Sequence, residues 1–180
     1  MSPAFSETTP PSRLPPNYID LRTYKDKILS NFYRLPTPLK DNHNIRYPTV
    51  EHAYQASKTN NLAHKRTIAE SLTTPKQWEG VAAIRAFRSL KAAPDFDFNP
   101  KFFDNQLQIM EALLQEKFKI KKFRKELLNT KNIPIIDLSP TGRDTYWGVS
   151  PEGYGKNHLG KLMEKIRREI QKNHHNKPPL

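Results

Sequence analysis

Residues 47–58 read Tyr-Pro-Thr-Val-Glu-His-Ala-Tyr-Gln-Ala-Ser-Lys. Pro48 and Thr49 are helix-start signals, with Thr49 placed as the N-cap. The spacing predicts a helix from Thr49 to about Asn61. At about 100° per residue, Glu51, Gln55 and Lys58 fall within a narrow arc of one face. Val50, Ala53, Tyr54 and Ser57 lie beside that arc as a small or apolar stripe. A carboxylate, an amide and an amine are thus aligned along the edge of a core, which makes a polar pocket wall rather than a solvated surface.

Outward from this helix, the apolar periodicity predicts an α+β domain, predominantly helical with a few short strands. Phe103, Leu107, Met110, Leu114 and Phe118 recur at three- and four-residue steps, so a long helix runs from Phe102 to Leu128, divided near Lys119–Lys122. Further helices are expected over His64–Leu72, Gln77–Ser89 and Leu159–Ile170. Ile133–Leu138 reads as a strand, and Arg34–Tyr47 as loop with a hairpin. Residues 1–20, with Pro10-Pro11 and Pro15-Pro16, read as an extended arm, residues 21–172 as one domain and residues 173–180 as a basic tail.

The chain has 180 residues and a formal charge of +12. Lys117–Lys131 holds seven Lys/Arg against Glu126 alone, and Lys161–Lys177 holds six against Glu164 and Glu169. Such a balance favours polyanionic partners, although a solvated helix face and a basic tail give the same composition. No apolar window is long enough to span a membrane. Cysteine is absent, which excludes disulfides and thiolate metal sites, and no secretory leader is visible. An intracellular chain, cytoplasmic or nuclear, is the expectation. The histidines show no metal-ligand spacing, and neither His-Glu-x-x-His nor Gly-x-Ser-x-Gly occurs. No metal or cofactor is expected.

Five of the six glycines lie between Gly142 and Gly160. Gly153–Gly160, running into the last helix, is a candidate phosphate cradle through free N–H groups and the helix dipole. An ordinary loop before a helix start at Asn157 accounts for the same residues.

Several blocks together resemble the NADAR (YbiA-like) family. They are Ser30-Asn31-Phe32, the Tyr47–Lys58 stretch, Met110 with Lys117-Phe118, Asp144-Thr145-Tyr146-Trp147-Gly148, and Gly155-Lys156-Asn157-His158-Leu159-Gly160-Lys161-Leu162-Met163. Tyr47 stands where the family usually has Trp, and Asp137 where it has Glu. The resemblance implies a YbiA-like fold and metal-independent N-glycosidase chemistry, cutting a ribose C1–nitrogen bond. It implies two substrate classes: ADP-ribosylated guanine of nucleic acid, and ribosylamino-pyrimidine phosphates of riboflavin synthesis. The basic segments favour the first. A non-catalytic nucleotide-binding module is the alternative of another class.

Cutting such a bond builds positive charge on the ribose, which calls for a carboxylate and a proton source. Glu51 is the candidate carboxylate, against the alternative of a first-turn acid favoured by the helix dipole. Lys58 is the second candidate, either as a nucleophile through a Schiff base or as a phosphate or ribose contact. Gln55 is a candidate for ribose hydroxyls or for orienting the Glu51 carboxylate, against a helix-surface filler. Asp144 is a candidate for ribose hydroxyls, against a turn cap, and Trp147 for stacking, against a core anchor. Asn157 and Gly155 are candidates for phosphate, and Asn31 and Phe32 for the pocket rim.

Overall fold

A computed structural model describes residues 14–72 and 80–175. The first thirteen residues of the expected arm, and the last five of the expected tail, lie outside the described residues. Among the described residues, four two-residue strands and six α-helices follow in the order β1 (Ile19–Asp20), β2 (Leu39–Lys40), β3 (Arg46–Tyr47), α1 (Val50–Ala56), α2 (Leu62–Glu70), α3 (Gly80–Lys91), α4 (Phe102–Lys119), α5 (Lys121–Asn129), β4 (Ile135–Ile136) and α6 (His158–His175). The fold class is α+β, with helices dominating. β2 and β3 pair antiparallel as the expected hairpin, Leu39 opposite Tyr47. β1 pairs parallel with β4, Ile19 opposite Ile135. Residues 19 and 20, placed in the arm by composition, are therefore part of a sheet.

α1 occupies the centre, and all seven of its residues are buried. Thr49 caps it by accepting from the His52 backbone N–H at 3.2 Å. The His52 ring, itself fully buried, bridges Thr49 Oγ1 and the Ser71 carbonyl at 2.8 Å each, tying α1 to the end of α2. The helix stops at Ala56, and Lys58 lies in the turn that follows.

The long periodic stretch divides as expected, with Ile120 extended between α4 and α5. Met110, Leu114 and Phe118 are buried as their spacing predicts, and only the first turn is offset by one residue. Phe102 is 2% exposed and Phe103 is 65% exposed. The four-residue step Phe102–Gln106–Met110–Leu114–Phe118 faces inward, and Phe103 instead packs its ring on Phe98 at 5.4 Å. Phe118, Leu114, Phe123, Leu127, Met163 and Ile166 join α4, α5 and α6 in one core. Truncating such a buried Phe to Ala costs about 3–5 kcal/mol. Among the described residues, no helix is long and apolar enough to cross a membrane.

Candidate functional site

A cavity of about 570 Å³ opens between α1, α3, the Ser30–Phe32 turn and the segment from Asp137 to Trp147. That size is ordinary for a small-molecule site. Glu51, Gln55 and Lys58 all line it, as their spacing predicts. Gln55 Nε2 donates to Glu51 Oε1 at 2.6 Å, and Lys58 Nζ donates to Gln55 Oε1 at 2.9 Å. This orientation of the amide satisfies both neighbours. No ion pair within 4.0 Å joins Glu51 directly to Lys58 among the described residues.

Burial pushes the Glu51 carboxyl above its usual range, while the Gln55 hydrogen bond and the Lys58 charge pull it back. Burial pushes Lys58 down, the Glu51 carboxylate pulls it up, and Lys91 and Arg88 push it down again. The Lys58 ammonium also sits over three rings, Phe87 at 4.6 Å, Tyr54 at 5.0 Å and Phe102 at 5.5 Å. Such faces favour the charged form.

The rim is built by close backbone approaches. The Asn31 carbonyl accepts from the Glu51 N–H at 3.1 Å, so the Ser30–Phe32 turn rests on the first turn of α1. Asn31 Nδ2 lies 3.3 Å from Met110 Sδ, and its Oδ1 is buried with no hydrogen-bond partner among the described residues. Phe32 crosses the start of α3 so closely that a Cβ on Gly80 would lie 2.5 Å from its ring. Behind this turn, Lys117 is fully buried and donates to the carbonyls of Leu29 and Ser30, each at 2.8 Å. Burial pushes its amine down to about 7.

On the opposite wall, Asp144 Oδ1 accepts from the N–H groups of Tyr146 and Trp147 at 3.2 and 2.9 Å. Asp144 thus caps its turn and lines the cavity at once. Trp147 stands edge-on to Tyr54, with Nε1 donating to the Tyr54 hydroxyl at 3.2 Å. Gly148 lets this turn approach β4, since a Cβ there would lie 2.2 Å from the Asp137 carbonyl.

Asp137 is the residue that sequence reasoning missed as a site residue. It follows β4 and lines the cavity. Burial pushes its carboxyl up to about 7, helped by the charges of Asp144, Asp20 and Glu51 and opposed by Arg22. The available signal was an acid directly after an apolar strand run.

Asn157 and Gly155 are placed elsewhere, and neither lines the cavity. Asn157 Oδ1 accepts from the Asp137 N–H at 3.0 Å and its Nδ2 donates to the Ile135 carbonyl at 2.8 Å, bracing β4. The amides of Lys156, Asn157, His158 and Leu159 donate to the carbonyls of Thr145, Gly148, Tyr146 and Trp147. The expected cradle is therefore occupied by the chain's own backbone, leaving those N–H groups unavailable to a phosphate. Among the described residues, no group of three or more His, Asp or Glu is arranged to hold a metal ion.

The family model of the NADAR domain matches residues 18–171. The chain belongs to the NADAR family. Among curated relatives, this NADAR chain is 30% identical over 146 residues to the chloroplastic riboflavin biosynthesis protein PYRR of Zea mays, covering 78% of this chain and 23% of that protein. It is 31% identical over 128 residues to an N-glycosidase of Nostoc punctiforme, covering 69% of this chain and 75% of that one. The chain thus spans about a quarter of the length of the first relative and three quarters of the second. The NMR structure of YbiA from E. coli superposes with a TM-score of 0.69 at 22% identity, over 93% of each chain, which shows that this NADAR domain has the YbiA fold.

Proposed function

We propose that this NADAR domain is an N-glycosidase that cleaves a ribose C1–nitrogen bond in the cavity walled by Glu51, Gln55 and Lys58. The observation that carries the reading is a buried acid on each side of one cavity, Glu51 on α1 and Asp137 after β4, both shifted toward the neutral form. Two interacting carboxyls in one site separate their titrations, giving one acid and one base near neutral pH. Glu51, held by Gln55 and by the Lys58 charge, is the ionised member that stabilises the ribosyl cation. Asp137, at about 7, is the protonated member.

As the C1–N bond breaks, its electron pair moves to the leaving nitrogen, which takes the Asp137 proton. A water then adds to C1 and gives its proton to the carboxylate left behind. Trp147 and Tyr54 provide the aromatic wall for the departing base, and Asp144 lies within reach of the ribose hydroxyls. Lys58 serves as the cation that keeps Glu51 ionised. A covalent role for Lys58 is the second reading, favoured by the burial that lowers its amine. Borohydride trapped during turnover, followed by mass spectrometry, separates the two. An adduct on Lys58 establishes the covalent route, and its absence leaves Lys58 as the electrostatic partner.

For the substrate, the charge of +12 supports guanine ADP-ribosylated in nucleic acid. The names of the riboflavin biosynthesis relatives support the ribosylamino-pyrimidine phosphate instead. The test is incubation with each, scoring release of free sugar product. Release from the guanine adduct is expected. Release from the pyrimidine alone reverses the order, and release from neither sinks the enzymatic reading in favour of a binding module.

A further inference from the structure

We propose that Arg88 and Lys91 of α3 form a phosphate subsite at the mouth of the cavity, holding the 5′-phosphate of the reacting ribose. Ile84, Phe87, Arg88 and Lys91 all line the cavity, at the i, i+3, i+4 and i+7 spacing of one helix face. The first two are apolar and lie deeper, and the last two are cationic and exposed. Neither Arg88 nor Lys91 has an ion-pair partner among the described residues. Arginine supplies a planar fork and lysine a point charge, the pairing suited to phosphoryl oxygens.

Two features lift this above ordinary surface charge. Arg88 and Lys91 repel the half-buried Lys58, pushing its ammonium down. Lys58 after α1 and Arg88 and Lys91 on α3 thus oppose one another across the cavity lining, and an incoming dianion relieves that opposition. The acids that line the cavity, Glu51 on α1 and Asp137 and Asp144 on the segment after β4, lie on elements other than α3. A phosphorylated ribosyl compound therefore has one favourable direction, phosphate toward α3 and C1 toward the acids. Cations in the last turn of a helix also complement its dipole, but the dipole does not select the face. Arg85, exposed on the same helix and away from the cavity, separates the two explanations.

The orientation rests on the N-glycosidase reading, but binding of the phosphate does not, so the test uses affinity rather than turnover. Ribose, ribose 5-phosphate and ADP-ribose are titrated by calorimetry into the full chain, the double variant Arg88→Ala/Lys91→Ala, and Arg85→Ala. Alanine favours helix, so α3 is retained, and a melting curve verifies it, with Arg88→Gln/Lys91→Gln as the second variant if it shifts. The expected result is binding of at least one phosphorylated sugar that exceeds ribose by tenfold or more and falls by tenfold or more in the double variant only. A loss for ribose 5-phosphate identifies a terminal phosphate, and a loss for ADP-ribose alone identifies a diphosphate. No loss in the double variant, an equal loss in Arg85→Ala, or a loss confined to a single-stranded oligonucleotide titrated alongside, overturns the proposal. Turnover with unchanged phosphate affinity sinks the subsite alone, and phosphate affinity without turnover sinks the enzymatic reading alone.

Discussion

Gln55 stands in direct hydrogen-bond contact with Glu51, Nε2 to Oε1 at 2.6 Å, and presents its oxygen to Lys58 on the other side. The carboxylate and the ammonium thus sense each other through an amide rather than as a closed ion pair. That spacing leaves a Glu51 oxygen free to face a substrate while the Lys58 charge still favours its ionised form. Replacing Gln55 by Leu removes the donor to Glu51 and the acceptor for Lys58 together. The Glu51 carboxyl then titrates at higher pH. The acid limb of the kcat/KM profile is expected to move up in pH, with about a tenfold loss at its maximum. An unmoved acid limb would assign that limb to another group.

Glu51→Gln separates activity from stability. Its folded pKa is raised, so its favourable contribution is present below the unfolded value and is lost as pH rises through the folded value. At neutral pH the buried acid is a burden on the fold. The variant is expected to lose about 100-fold or more in turnover. Its melting temperature should exceed the wild type's at pH 8, by a margin that shrinks toward pH 4. A variant melting below the wild type at pH 8 would contradict this account of the carboxyl.

Asp137 sets the other limb. As the proton donor it must be neutral, and its pKa of about 7 places the loss of activity above neutrality. Asp137→Asn is expected to reduce turnover by about 10²–10⁴-fold and to remove the alkaline limb. The same sign analysis applies to stability: the raised carboxyl destabilises the fold as pH rises from about 4 toward 7. The Asn variant should therefore melt higher than the wild type at pH 8. A retained alkaline limb in the Asn variant would exclude Asp137 as the acid.

The central helix was legible because its determinants are local. Thr49 caps it, and the spacing of Glu51, Gln55 and Lys58 survives the end of α1 at Ala56, since the following turn keeps Lys58 on the cavity side. Asp137 was obscure because the charges that act on it, those of Asp144, Asp20, Glu51 and Arg22, are distant in sequence. The glycine-rich run misled for the same reason. Its N–H groups looked free along the chain, but the carbonyls of Thr145–Gly148 fold back onto them. A periodic stripe leaves its phase open by one residue at Phe102–Phe103, and only packing on the neighbouring elements fixes Phe102 as the buried ring.

Asn157 tests that fold-back directly. Its side chain joins the Asp137 N–H to the Ile135 carbonyl, so Asn157→Ala takes that partner from one carbonyl of β4 and from the N–H just after it. The expected cost is about 1–3 kcal/mol in urea denaturation. Affinity for inorganic phosphate should stay unchanged at temperatures where the variant is folded. A phosphate-binding Asn157 would show the reverse, with weaker phosphate binding at unchanged stability.

Lys117 gives the sharpest dependence on pH. It is fully buried, and no carboxylate lies among its hydrogen-bond partners, which are the carbonyls of Leu29 and Ser30. Its amine is pushed from 10.5 down to about 7 by burial. Between those values the unfolded chain holds a proton that the folded chain does not. Stability must then rise with pH across that window, and it levels off below about 7, where both states hold the proton. One such group contributes a slope of up to about 1.4 kcal/mol per pH unit. Lys117→Met fills the same space and cannot titrate, so urea denaturation between pH 7 and 10 should show the wild-type slope reduced by about that amount. The substitution also releases the turn that carries Asn31, whose carbonyl holds the Glu51 N–H. Activity should fall even at a pH where the variant is fully folded, because the carboxylate loses the backbone that positions it. A variant with wild-type slope would mean that another group titrates in this window, and one with wild-type activity would mean that the turn is held without the amine.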